Sequence, residues 1–157
     1  MKRNSITIKY SIFITKPRET VWDFTQDYEK RTMWDSSITE VKMVQELPER
    51  IVRLSAKGNT TMTFVYKLND RPNKTSLATR EVSSPIVESG GGSWVYEEEN
   101  GGTHWTQTNT IVFKKNFMLP VLLPLYNSIF RRQMIKAMQK AKKLLEAGQY
   151  STTGTSL

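Results

Sequence analysis

Six tyrosines, a single histidine and no cysteine bound the chemistry open to this chain of 157 residues. Without thiols there are no cysteine nucleophiles, thiolate metal sites or disulfides. His104 follows a turn signal directly and precedes an inward Trp105, which assigns it to a rim or surface rather than to a metal or a triad. The remaining candidates are hydrogen-bonding side chains that alternation sets among apolar ones. Gln107 and Asn109 share a register with Trp105, Ile111 and Phe113, whereas His104, Thr106, Thr108 and Thr110 read as a solvated threonine ladder. An inward amide without a partner costs about 1–3 kcal/mol, so these two must meet each other, a tyrosine hydroxyl, water or a ligand.

Tyr10, Tyr66 and Tyr96 fall in the inward register of other strands, where their hydroxyls would orient a ligand, polarise a carbonyl in a cyclase, or serve the core. Arg80 and Glu81 occupy opposite faces of one strand; an inward Glu81 would be a general base with a raised pKa, and exposure would make both ordinary surface residues. Glu97, Glu98 and Glu99 read as a solvated turn, not a metal site, and Gly90, Gly91 and Gly92 lack the spacing of a dinucleotide loop. There is no phosphate-binding loop or serine elbow. No catalytic residue, metal or cofactor is assigned.

The elements that must position these residues follow from periodicity. Ile6, Ile8, Tyr10, Ile12 and Ile14 recur at period two and predict a half-buried first strand. The period then changes: Thr15 or Lys16 as cap, Pro17 in the first turn and Glu19 near the dipole predict a helix buried through Val21, Trp22 and Phe24. A second short helix is expected over Tyr28 to Met33. Six strands follow, over residues 36–45, 50–56, 60–68, 75–83, 92–98 and 103–113, with Asn100-Gly101 the best hairpin signal. On these strands Met62, Phe64, Tyr66, Trp94 and Tyr96 are read as inward. The final helix runs from Leu122 or Leu125 to Ala147; Tyr126, Phe130, Met134, Ala137, Met138, Ala141, Leu144 and Leu145 share one face, and Gly148 is its stop. Phe130, Met134 and Met138 are expected to pack opposite Tyr66 and Trp94.

Charge is uneven. The chain carries +8 in all, and residues 101–157 hold eight basic groups against Glu146 alone, so nearly all the excess sits in the last third. There Lys114 and Lys115, then the proline-broken apolar segment from Phe117 to Leu125, then Arg131 and Arg132 form the most distinctive local feature. Leu119 and Leu122 are read as dipping into an anionic membrane surface beside Lys114 and Lys115; covering the end of the protein's own core and dimerising are the alternatives. The apolar run is about half of the roughly 20 residues that span a bilayer, and no signal peptide is evident, which points to a cytoplasmic location. Nucleic acid is not favoured, because the aromatics are read as inward and not as a stacking platform.

The segment KPRETVWDFTQDYEKRTMWDSSITEV resembles the N-terminal signature of the START-like, or helix-grip, superfamily, in its bacterial polyketide cyclase/dehydrase and lipid-transport branch. The matching features are the proline opening the helix, Val21 and Trp22 followed by Asp23, then Asp27, and Trp34 with Asp35 leading into the second strand; the NGGT hairpin and the closing amphipathic helix agree. The resemblance implies an α+β helix-grip domain over residues 1–148 with a flexible tail at 149–157: a seven-stranded antiparallel curved sheet around the long C-terminal helix, with two short helices after strand one. It implies a cavity that binds a hydrophobic small molecule or lipid. The ligand-contact residues expected are Tyr10, Met62, Phe64, Tyr66, Trp94, Tyr96, Gln107, Asn109, Phe130 and Met134. A polyketide cyclase, aromatase or dehydratase is the enzyme alternative, a regulatory protein-interaction module the third, and the oligomeric state is left open.

Overall fold

The computed structural model describes residues 4–149. Strand β1, Ser5–Ile14, leads through Pro17 into helix α1, Arg18–Gln26, a 3₁₀ turn, Tyr28–Lys30, and the short helix α2, Arg31–Trp34. Strands β2, Ile38–Gln45, β3, Ile51–Ala56, β4, Thr60–Asp70, β5, Lys74–Ser83, β6, Val87–Glu99, and β7, Gly102–Phe113, then form a meander, closed by helix α3, Leu119–Glu146. Neighbouring strands are antiparallel in the order β1-β7-β6-β5-β4-β3-β2. The expected tail lies outside the described residues except for Gln149.

The sequence pattern explains most of this. Ile6, Ile8, Tyr10, Ile12 and Ile14 stand opposite Ile111, Asn109, Gln107, Trp105 and Thr103, so one face of β1 and one face of β7 form a common wall. Asn100 and Gly101 have φ of 48° and 75°, as a tight hairpin of this kind requires. Gly148, at φ 71°, ends α3 with its N–H on the Leu145 carbonyl at 3.1 Å. Met134, Ala137, Met138, Ala141 and Leu145 of α3 are buried in one core with Trp34, Trp94 and Trp105.

Four boundaries differ from the sequence reading. The cap of α1 is Pro17 itself, because Thr15 is engaged elsewhere: its N–H and hydroxyl both donate to Glu146 at 3.0 Å and tie β1 to the end of α3. Tyr28 to Met33 is a 3₁₀ turn running into a single helical turn. Strand β6 begins at Val87, since Gly90, Gly91 and Gly92 show no alternation yet pair with Ile111, Thr110 and Asn109. Helix α3 begins at Leu119; Pro120 falls in its first turn, where no amide donor is needed, and the helix continues past Pro124.

A second cluster lies toward the β2 edge, where Tyr28, Ile38, Val52, Leu54 and Tyr66 pack together. Tyr66 is therefore not opposite α3, contrary to expectation. The 3₁₀ turn supplies its cover instead.

Candidate functional site

A cavity of about 430 Å³ lies between the sheet and α3, within the roughly 300–1,000 Å³ typical of small-molecule sites. Met62, Phe64 and Trp94 line it from the sheet, and Phe130, Met134 and Ala137 from α3. Gln107 and Asn109 line it as well. Asn109 has room because β6 carries glycine opposite: a Cβ on Gly92 would collide with the Asn109 side-chain oxygen. Trp34, Trp94 and Trp105 meet edge to face, with centroids 5.5–6.1 Å apart, and brace the site.

The cavity is near one end of the sheet. Thr61 stands opposite Ser83, so the β3–β4 turn and the β5–β6 loop share that end, and Lys57, Thr60, Ser84 and Ile86 from them line the cavity. The same end receives the chain leaving β7, so the first half of α3 starts beside it: Lys114 N–H donates to the Ile86 carbonyl at 2.9 Å, and Lys114 Nζ to the Ser84 carbonyl at 2.6 Å.

Three expected contact residues are not in the lining. Tyr10 is covered by α3, which lies along β1 and reaches its backbone through Arg131, donating to the Lys9 carbonyl at 3.3 Å, and Lys142, donating to that of Phe13 at 2.8 Å. Tyr66 and Tyr96 belong to a hydrogen-bonded network under α1. Tyr96 Oη meets Thr25 Oγ1 at 2.7 Å and accepts from Gln26 Nε2 at 3.0 Å, while Tyr66 Oη donates to Gln26 Oε1 at 2.9 Å and meets Tyr28 Oη at 2.6 Å. Arg50 adds a donor to the Gln26 carbonyl at 2.8 Å. Burial pushes the Tyr96 phenol up despite the bonds from Thr25 and Gln26, and burial likewise pushes Tyr66 well up, with Tyr28 adding to the effect. Both are neutral structural hydroxyls. Glu81 is exposed and lies 3.7 Å from Arg53, and His104 pairs with Glu99 on the surface.

The sequence pattern of the polyketide cyclase / dehydrase and lipid transport family runs through residues 5–146. The chain belongs to that family. No curated protein matches the sequence significantly. Among solved structures, a protein of Thermus thermophilus superposes with a TM-score of 0.79 at 16% identity, covering 91% of this chain and 99% of the other. The Zhui aromatase/cyclase of Streptomyces sp. R1128 also gives 0.79 at 16% identity, over 96% and 99%. A START superfamily protein of Mycobacterium smegmatis gives 0.66 at 11%, over 92% and 96%. At these identities the likeness concerns the helix-grip fold.

In this polyketide cyclase / dehydrase and lipid transport family member, sequence reasoning missed the polar part of the cavity wall. Arg31 and Asp35 are an i,i+4 pair with Arg31 Nη2 at 2.7 Å from Asp35 Oδ2, and both line the cavity. Burial opposes ionisation of Asp35, but the Arg31 charge and hydrogen bonds from Ser37 and Arg31 outweigh it and hold the carboxyl below its usual range. The signal was present in the spacing of Arg31 and Asp35 around Trp34, on a helix too short to show periodicity.

The expected membrane contacts need a correction. Leu119 is 4% exposed and belongs to the core, and Leu122 is half-buried. The apolar side chains that do face outward are Phe117, at 91% exposure, and Val121, at 71%, followed by Leu125 and Ile129. From sequence the proline-broken segment reads as a connection; as a helix it turns Leu119 inward and sends Val121 and Leu125 out at four-residue spacing, with Ile129 one turn further on at the edge of the cavity. Lys115 and Arg132 flank this stripe and are exposed. No helix among the described residues is long and apolar enough to cross a membrane.

Proposed function

We propose that this protein is a cytoplasmic carrier that binds a hydrophobic or amphipathic small molecule, such as a lipid, in the cavity between sheet and α3, and exchanges it at an anionic membrane surface. The observation that carries the reading is the cavity itself. It is walled by Ile8, Met62, Phe64, Trp94, Phe130 and Met134, and burying apolar surface against such a wall contributes roughly 25 cal/mol per Å². The outward Val121 and Leu125 lie on the same half of α3 as the cavity-lining Tyr126, Ile129 and Phe130. A membrane that accepted this outward pair would therefore stand next to the cavity, which favours transfer without passage of the ligand through water.

Gentle purification followed by native mass spectrometry and organic extraction tests the binding claim: a stoichiometric, extractable small molecule is expected. Ala137 lines the cavity from α3, so Ala137→Phe should exclude the molecule while the protein stays folded by circular dichroism. Purified protein that carries nothing, and binds no apolar fluorophore in a manner sensitive to Ala137→Phe, would defeat the carrier reading.

A cofactor-free cyclase, aromatase or dehydratase is a second reading, favoured by the buried Arg31–Asp35 pair in the cavity wall. Turnover of a polyketide-like substrate that disappears in the folded double variant Arg31→Gln, Asp35→Asn would establish it in place of the carrier.

A further inference from the structure

The apolar cavity has one polar stretch whose hydrogen-bonding capacity the protein leaves unused. Arg31 directs Nε and Nη2 to the same oxygen of Asp35, at 3.0 and 2.7 Å, which engages two of the five N–H donors of a guanidinium. Asp35 is already served on its other oxygen, where Oδ1 accepts from Ser37 N at 3.2 Å and from Ser37 Oγ at 2.6 Å. The pair therefore offers donors, not acceptors, to whatever occupies the cavity. Its geometry is held by indole rings, because the guanidinium carbon lies 4.3 Å from the centroid of Trp34 and 5.0 Å from that of Trp94.

Trp94 stands opposite Gln107 across β6 and β7. Gln107 is 3% exposed, lines the cavity, and has no hydrogen-bond partner among the described residues. Asn109, two residues along the same face, is likewise in the wall and unpartnered. Neither amide has an atom among the sealed, unpartnered polar atoms of the described residues, so both stay open to the cavity, where a polar atom of a ligand can take the place of water.

Charge decides the kind of polar atom. The charged residues lining the cavity are Arg31, Asp35 and Lys57, one positive charge in excess. Lys57 borders the same segment, its N–H donating to the Ser37 carbonyl at 3.2 Å. Lys114, held on the Ser84 carbonyl, adds a second positive charge near the cavity. The spare guanidinium N–H groups of Arg31 require an acceptor oxygen, and a positive excess favours an anionic one.

We propose that the cavity selects ligands bearing a carboxylate, which takes the spare N–H groups of Arg31 and the amide of Gln107 while the apolar body lies against Met62, Phe64 and Met134. The proposal rests on the carrier reading and adds the chemical class of its cargo. Arg31 is suited to the task because a guanidinium already oriented by Asp35 and two indoles loses little freedom on meeting a planar carboxylate.

Two fluorescent acids of different shape, cis-parinaric acid and 1-pyrenebutanoic acid, should each bind about tenfold or more tightly than their methyl esters, as expected when charge-assisted hydrogen bonds are lost. In the double variant Arg31→Gln, Asp35→Asn, which leaves no unpaired buried charge, the acids should lose most of their advantage over the esters. Gln107→Leu removes the amide without opening a void, and should weaken the acids several-fold and more than the esters. Acids and esters that bind alike to the native protein, or an acid preference undiminished in the double variant, would overturn the carboxylate claim and leave the carrier reading standing. Failure of all four molecules to bind would remove both.

Discussion

Tyr96 and Asp35 separate two duties that alternation alone would merge. Tyr96 faces the concave side, as its register requires, but its hydroxyl is spent on Thr25 and Gln26. Tyr96→Phe should therefore lower stability by about 1–3 kcal/mol, read as a shift in urea midpoint, and leave the affinity for a cavity fluorophore unchanged. A matching loss of affinity would mean that Tyr96 touches the ligand. Asp35 works differently. Its folded-state pKa is depressed below the ordinary 3.8, so the stabilisation it brings is complete above about pH 4 and is lost as the pH falls through that lower value. Asp35→Asn should cost about 3 kcal/mol at neutral pH by leaving Arg31 buried without its counter-charge, and should flatten the fall in stability on acidification. Urea midpoints measured from pH 6 down to pH 3 check both; equal slopes for the two proteins would remove Asp35 from the account.

At the scale of the element, α3 carries two stripes with different work. One is core: Met138 is wholly buried, and Met138→Ala should cost about 2–5 kcal/mol. The other faces out, and the pair Val121→Ser, Leu125→Ser should change stability by no more than about 0.5 kcal/mol per site while weakening sedimentation with anionic vesicles. Leu119→Ser offers the contrast, because Leu119, two residues before Val121, is buried: it should destabilise the fold instead. If Leu119→Ser proved innocuous, or the outward pair left vesicle binding intact, the division of the helix into these two faces would be wrong.

Over the whole molecule, charge and shape coincide. The basic excess sits in the segment that follows β7 and along α3, and the start of that segment adjoins the cavity through Lys114. The protein should sediment more with anionic than with zwitterionic vesicles, and this preference should decline as salt is raised toward about 0.5 M, where screening acts within a few ångströms. Replacing Lys115 and Arg132 with Gln should remove the anionic preference while leaving the apolar contribution of Val121 and Leu125. Equal binding to both vesicle types at low salt would reduce the basic groups to an aid to solubility.

The order of elements, the seven-stranded meander and the buried face of α3 could be read from the chain, because period two in Ile6 to Ile14 and period 3.6 in Tyr126 to Leu145 are local consequences of which face each element buries. The same logic placed Gln107 and Asn109 inward. Alternation says only which side of the sheet a residue occupies, however, and not what lies above it. Whether Tyr66 and Tyr96 would meet a ligand depended on where Thr25, Gln26 and Tyr28 came to rest, and Tyr10 on the path of α3 along β1. The glycines of β6 left no pattern, although their missing side chains let Asn109 into the wall. Arg31 and Asp35 stood in a segment too short for periodicity, and only the tertiary structure puts them in the wall of the same cavity as Trp94 and Gln107, far away in the chain. Local pattern suffices to say which faces are buried; which buried residues border empty space was decided by how distant elements pack, since a cavity is what that packing leaves unfilled.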